Sequence, residues 1–152
     1  MELDRIDRQI LLALQREGRI TNAALAERLG LSASACLRRV QRLEEEGVIA
    51  GYHARLDPAR VNRATQVLVR VNLDSQREEA LDEFERAVRD CPDVLECHLL
   101  SGGSDYLLRV AVAGTQEFEH FHKQTLARLP HVARIESSFV LRSVCRREGF
   151  DL

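Results

Sequence analysis

Through the first third of the chain apolar residues return every three or four positions; from residue 65 onward the spacing repeatedly drops to two. Leu3, Ile6, Ile10 and Leu14, widened by Leu11, predict a helix over residues 3–17, with Gly18 as punctuation. Thr21 to Gly30 predicts a second, short helix with Thr21 as N-cap and Leu25 and Leu29 on its buried side. Residues 33–46 predict a third: Ser32 offers an N-cap, Cys36, Val40 and Leu43 fall at i, i+4 and i+7 with Leu37 flanking, and Gly47 closes it. Only Gly30-Leu31-Ser32 joins the second helix to the third, and the first is placed to cover their apolar side. The β-prone run 48–56, broken by Gly51, predicts a short hairpin or strand of the kind that makes a winged helix-turn-helix. Asp57-Pro58 opens a turn, and 57–64 is read as a linker.

The second part alternates. Residues 65–73 predict a strand with Val67, Val69, Val71 and Leu73 on one face; 77–90 a helix burying Ala80, Leu81, Phe84, Ala87 and Val88; 94–101 a second strand. Gly102-Gly103-Ser104-Asp105 is a turn, Tyr106–Val112 a third strand, 115–129 a helix stopped by Pro130, and 132–141 the last strand. The order βαββαβ is that of a ferredoxin-like sandwich, two helices on one face of a four-stranded antiparallel sheet. The fold class expected is therefore α+β: a winged helix-turn-helix over 1–56, a linker over 57–64 and a βαββαβ domain over 65–152. Leu68, Leu95, Cys97, Leu99, Leu107 and Ala111 are read as a second apolar sheet face, which asks for a partner; a second copy about a two-fold axis is the simplest.

Charge sharpens the reading of the third helix. The whole chain carries 22 basic and 24 acidic side chains, a net of −2, so attraction to phosphate must come from a local patch. From Arg28 to Leu43 there are four arginines and no acid, and Glu44, Glu45 and Glu46 follow together. In a helix-turn-helix the first turns of the second helix of the pair enter the major groove. That places Ser34, Ala35, Arg38 and Arg39 at base edges and Arg42 at a phosphate, with Ser32 at the helix start. Arginine suits both tasks, since its fork holds guanine O6 and N7 together or bridges phosphate oxygens. Double-stranded DNA is the expected partner, and dimers on paired half-sites compensate for the small surface of one module.

Hydrophobic content of 45% and charged content of 30% describe a globular chain with no apolar run of membrane-spanning length and no signal-peptide pattern, which is read as cytoplasmic. Cys36, Cys91, Cys97 and Cys145 are dispersed without a C-x-x-C pair and are read as reduced thiols. Two rival classes compete: a ferredoxin-like enzyme, and a ligand-sensing interaction module without DNA. Glu119, His120 and His122 look metal-like in E-H-F-H, but residues two apart on a helix point to different sides. No nucleophile elbow, phosphate loop or dinucleotide fingerprint occurs. No catalytic residue, metal ligand or cofactor is expected.

L-D-R-I-D-R-Q-I-L at 3–11, R-I-T-N-A-A-L-A-E-R-L-G-L-S at 19–32, C-L-R-R-V-Q-R-L-E at 36–44 and G-V-I-A-G-Y at 47–52 resemble the leucine-responsive/asparagine-regulator (Lrp/AsnC) transcription factors. The match continues through L-E-C-H-L-L-S-G-G-S-D-Y-L-L at 95–108 and R-L-P-H-V at 128–132. The resemblance implies a winged helix-turn-helix, a βαββαβ ligand-sensing domain, dimers that assemble further, commonly to octamers, and a small-molecule effector, usually an amino acid. It makes the turn around Gly102, Gly103, Ser104, Asp105 and Tyr106 the effector loop, with Ser137, Ser138 and Phe139 on the last strand lining the same pocket and His98 nearby. Glycines there let backbone N–H groups approach a ligand carboxylate, and Asp105 offers a negative charge to its ammonium. Two departures are visible: Ala33 and Ala35 stand where the family often has prolines, and Gly103-Ser104 supplies neither the acid nor the aromatic usual in the loop.

Overall fold

The computed structural model describes residues 2–147 and 149–152, which form two compact units. One runs as far as Arg55 and takes in the tail Val144–Leu152; the other spans Leu56–Ser143. The tail, expected in the second domain, belongs to the first, where the Gln15 side chain holds both main-chain groups of Phe150, accepting from its N–H at 2.6 Å and donating to its carbonyl at 3.1 Å.

In the first unit the helices are α1 (Arg5–Arg16), α2 (Asn22–Leu29) and α3 (Ala33–Glu45). Each starts where a side chain satisfies free N–H groups: Asp4 and Asp7 exchange capping bonds at α1, Thr21 Oγ1 accepts from Ala24 N (3.2 Å), and Ser32 Oγ accepts from Ala35 N (3.2 Å). Gly30, at φ +66°, ends α2 in the left-handed region, and Leu31 N then bonds back to Ala26 O, so three residues suffice to turn the chain. Ile10, Leu25, Cys36 and Leu43 are buried between the three helices. The run 48–56, expected as a hairpin or strand, contains no strand. Ile49 N bonds to Leu43 O and Ile49 tucks against the helical core, while the Tyr52 hydroxyl donates to Glu44. With no neighbouring strand to pair with, a β-prone run cannot form a ladder by itself.

The second unit orders its elements β1 (Thr65–Leu73), α4 (Glu78–Arg89), β2 (Val94–Leu99), β3 (Tyr106–Val112), α5 (Thr115–Gln124), a 3₁₀ turn at Leu126–Arg128, and β4 (Val132–Phe139). The strands lie in the order β2-β3-β1-β4, all neighbours antiparallel, the arrangement of a ferredoxin-like sandwich. Val67, Val69, Val71, Tyr106, Leu108, Val110 and Val112 meet Phe84 and Val88 of α4 and Phe118 and Phe121 of α5 in one core. The segment read as a linker is anchored to this unit, for Arg63 pairs with Asp93 at 2.8 Å.

The register corrects the reading of the second sheet face. Cys97 stands opposite Leu108 and Leu99 opposite Tyr106, so both belong to the helix side. The pairing of β2 with β3 shifts between Val94 and Glu96, and this irregularity places Val94 opposite Val110 as well. The outer face is instead Leu68, Leu107 and Ala111 interspersed with Arg70, Arg109, Glu96, Arg134 and Glu136, and it carries the ion pairs Arg109–Glu96 and Arg134–Glu136 (both 2.5 Å). It is a mixed surface, not an apolar one.

Candidate nucleic-acid interface and effector loop

On α3 the residues expected at DNA divide into two groups. Ser32, Ser34 and Arg38 are exposed and Ala35 is half-buried; the Ser32 hydroxyl lies 3.3 Å from that of Ser34. Among the described residues Arg38 makes no hydrogen bond or ion pair. Leu37, read as flanking the buried stripe, is 45% exposed beside it. α3 begins regularly at Ala33, as expected of alanines where prolines would have constrained the first turn.

Arg39 and Arg42 differ from the expectation. Arg39 donates to Asp4 (2.7 Å) and Asp7 (2.8 Å), and Arg42 donates to the other Asp7 oxygen at 2.6 Å, so both guanidiniums are drawn onto α1. The physical reason is Asp7 itself, whose side chain is 1% exposed: a carboxylate removed from water needs cations. The Asp7 N–H, followed by Arg39, holds the Asp4 carboxyl below its usual range, and Asp4 and Asp7 in turn raise Arg39. Sequence reasoning missed Asp7, although a signal was present. It sits three and four residues before Ile10 and Leu11, inside the apolar stripe of α1, and a charge in such a stripe implies a partner.

In the second unit the loop between β2 and β3 is fastened at its end. Asp105 is buried; its carboxylate accepts from Leu73 N (2.7 Å) and Gln76 Nε2 (2.5 Å), and its N–H donates to Val71 O (3.1 Å). Asn72 donates to Gly103 O at 3.0 Å. Asp105, expected to await a ligand ammonium, is thus committed to the end of β1, since a buried carboxylate takes the nearest N–H donors. Gly102 and Gly103 are exposed, Gly102 at φ +150°, and a Cβ at either would meet nothing within 4 Å; Ser104 is half-buried. Asn72 and Gln76, which hold this loop, were not legible as site residues, because neither stands near it in sequence.

The remaining expected effector residues do not converge. Tyr106 is buried in the core, its ring 4.6 Å from that of Phe84 and its hydroxyl donating to Glu85 (2.9 Å); burial, then Glu85, raises its phenol. Ser137 and Phe139 stand opposite Val69 and Val67 on the helix side, where Phe139 meets Phe118 edge-on at 5.3 Å, whereas Ser138 stands opposite Leu68 on the outer side. His98, opposite Leu107, is exposed on the outer side, 3.3 Å from Glu96. The cause is strand alternation: consecutive residues cannot line one face. A separate groove between α4 and β2 is lined by Glu85, Val88, Arg89, Cys97, Leu99 and Tyr106, and burial pushes the Cys97 thiol up to about 11. Neither the glycines nor Asp105 border it.

Among the described residues no group of three His, Cys, Asp or Glu is arranged to hold a metal, and Glu119 of E-H-F-H pairs with Lys123. No described helix is long and apolar enough to cross a membrane.

Comparison with known proteins accounts for both units. Residues 3–50 match the family model of a winged helix-turn-helix DNA-binding domain, and residues 66–150 that of the Lrp/AsnC ligand binding domain. The chain is 46% identical to the Bkd operon transcriptional regulator of Pseudomonas aeruginosa over 97% of each chain. It is 41% identical to the leucine-responsive regulatory protein of Escherichia coli over 94% of this chain and 87% of that one. Among solved structures, a transcriptional regulator of Neisseria meningitidis in complex with L-Met is 39% identical and superposes with a TM-score of 0.94 over 99% of this chain and 97% of the other. An AsnC family regulator from Agrobacterium tumefaciens is 36% identical, with a TM-score of 0.92 over 97% and 96%. A three-helix reader with capped, tightly joined α2 and α3, a βαββαβ sheet unit and these matches along almost the whole length lead to one conclusion: the chain belongs to the Lrp/AsnC family of transcriptional regulators.

Proposed function

We propose that α3 reads the major groove of duplex DNA through Ser34, Ala35 and Arg38, that Ser32 stands at the phosphate rim, and that an amino acid bound by the second unit modulates DNA binding or assembly. The observation that carries the first part is Arg38, exposed on a capped helix that follows a three-residue turn. The amino-acid part rests on the L-Met complex of the Neisseria meningitidis relative and on the open backbone at Gly102 and Gly103. The protein acts by binding rather than catalysis, in the cytoplasm, as a dimer whose outer sheet faces meet and whose dimers assemble further, to an octamer by likeness to the family.

The test uses the full chain and the DNA upstream of its own gene. Binding is followed by fluorescence anisotropy with and without each of the twenty amino acids, alongside a thermal shift that detects ligands of the folded form. One or a few amino acids should raise the melting temperature and change the DNA affinity. Arg38→Ala should lose about 1–3 kcal/mol of discrimination at the base pair it contacts. Equal preference for the upstream and a scrambled duplex in wild type and Arg38→Ala alike overturns the DNA assignment; no response to any amino acid overturns the effector assignment.

A further inference from the structure

The α1–α3 ion cluster stands apart from the side chains placed at DNA, and among the described residues it contains the one acid of the reader unit that is fully buried. Asp7 accepts from Arg39 on one oxygen and from Arg42 and Asp4 N on the other, while Asp4 closes the ring onto Arg39. Two carboxylates thereby meet two guanidiniums, and the cluster is neutral. For a DNA phosphate to take Arg39, it must leave Asp7 buried with a cation gone, a loss larger than one exposed phosphate contact returns.

We infer that Asp7, supported by Asp4, is a specificity-setting positioning residue: it withholds Arg39 and Arg42 from the phosphate backbone, leaving Arg38 as the arginine that α3 presents. Its carboxylate does inside the protein what a phosphate would do outside it. The consequence is weak affinity for unrelated DNA, because sequence-independent binding scales with the cations that reach phosphates. The same bonds fix the rotation of α3 on α1, so that Ser34 and Arg38 share the outward side. This inference rests on the DNA reading proposed above.

The experiment measures how the dissociation constant of the full chain varies with KCl concentration, on the upstream duplex and on a scrambled duplex of equal length, for wild type, D4N, D7N and R39Q. The Asp4→Asn change keeps a capping side chain at the start of α1, so the helix end survives it. D7N is expected to bind the scrambled duplex more tightly and to steepen the log–log salt slope by about 0.9 for each arginine released per bound protomer. D4N should shift the same way by less, and R39Q should leave the slope unchanged. If R39Q flattens the slope by about 0.9 while D4N and D7N leave scrambled-duplex binding as in wild type, Arg39 holds a phosphate and the inference is overturned although DNA binding stands. If wild type binds neither duplex, the DNA reading falls and this inference with it. Should D7N not fold by circular dichroism, D4N and R39Q decide the question.

Discussion

Asp105 shows how a residue expected at a ligand can be committed to other work. Its carboxylate bridges Leu73 N and Gln76, so the β2–β3 loop is pinned to the start of the β1–α4 connection instead of offering a free charge. Asp105→Ala should leave the Leu73 N–H buried without an acceptor and lower the unfolding free energy by about 1–3 kcal/mol in urea titration, with any amino-acid response weakened through a loosened loop. An unchanged urea midpoint contradicts this account. At this scale the sequence is legible where partners are close along the chain. Thr21, Gly30 and Ser32 act within a few residues of themselves and can be identified on sight, whereas Arg39 finds Asp7 across 32 positions and Asp105 finds Gln76 across 29. Nothing local indicates such pairings; only the buried charge in the α1 stripe hints at one.

At the scale of elements, periodicity locates every helix and strand of the βαββαβ unit, because a face buried against a neighbour imposes its own spacing. Element ends differ by a residue or more: β2 stops at Leu99, β4 at Phe139, and α5 gives way to a 3₁₀ turn at Leu126–Arg128 before Pro130. Ser32→Ala should cost about 1 kcal/mol, read as a lower midpoint for the reader unit in thermal or chemical unfolding, and a larger loss of DNA binding than of stability if Ser32 also meets phosphate. The wing run departs from its expected strand because β-propensity describes fitness for a sheet and does not supply one. The second sheet face departs because the register shift between β2 and β3, invisible in the sequence, decides which parity points outward.

For the whole molecule, the division of charge matters more than its total. Ten arginines and nine acids fill residues 1–60, yet four of those charges neutralise one another between α1 and α3. The outer sheet face is built from Leu68, Leu107 and Ala111 with arginines and glutamates between them, a composition suited to a self-complementary interface. Leu68→Asp, at a position 38% exposed, should shift the mass in sedimentation velocity toward the monomer without altering the circular dichroism; an unchanged mass rules this face out as the dimer contact.

Both outermost strands of the sheet pair irregularly: the register slips between Val94 and Glu96 where β2 meets β3, and again at Asn72 and Leu73 where β1 meets β4. Leu95 and Leu99 are exposed on one of those rims, a combination that in a straight strand invites cross-β stacking. An interrupted rim is a poor template for a foreign strand, so the register slips guard these exposed leucines against seeding fibrils.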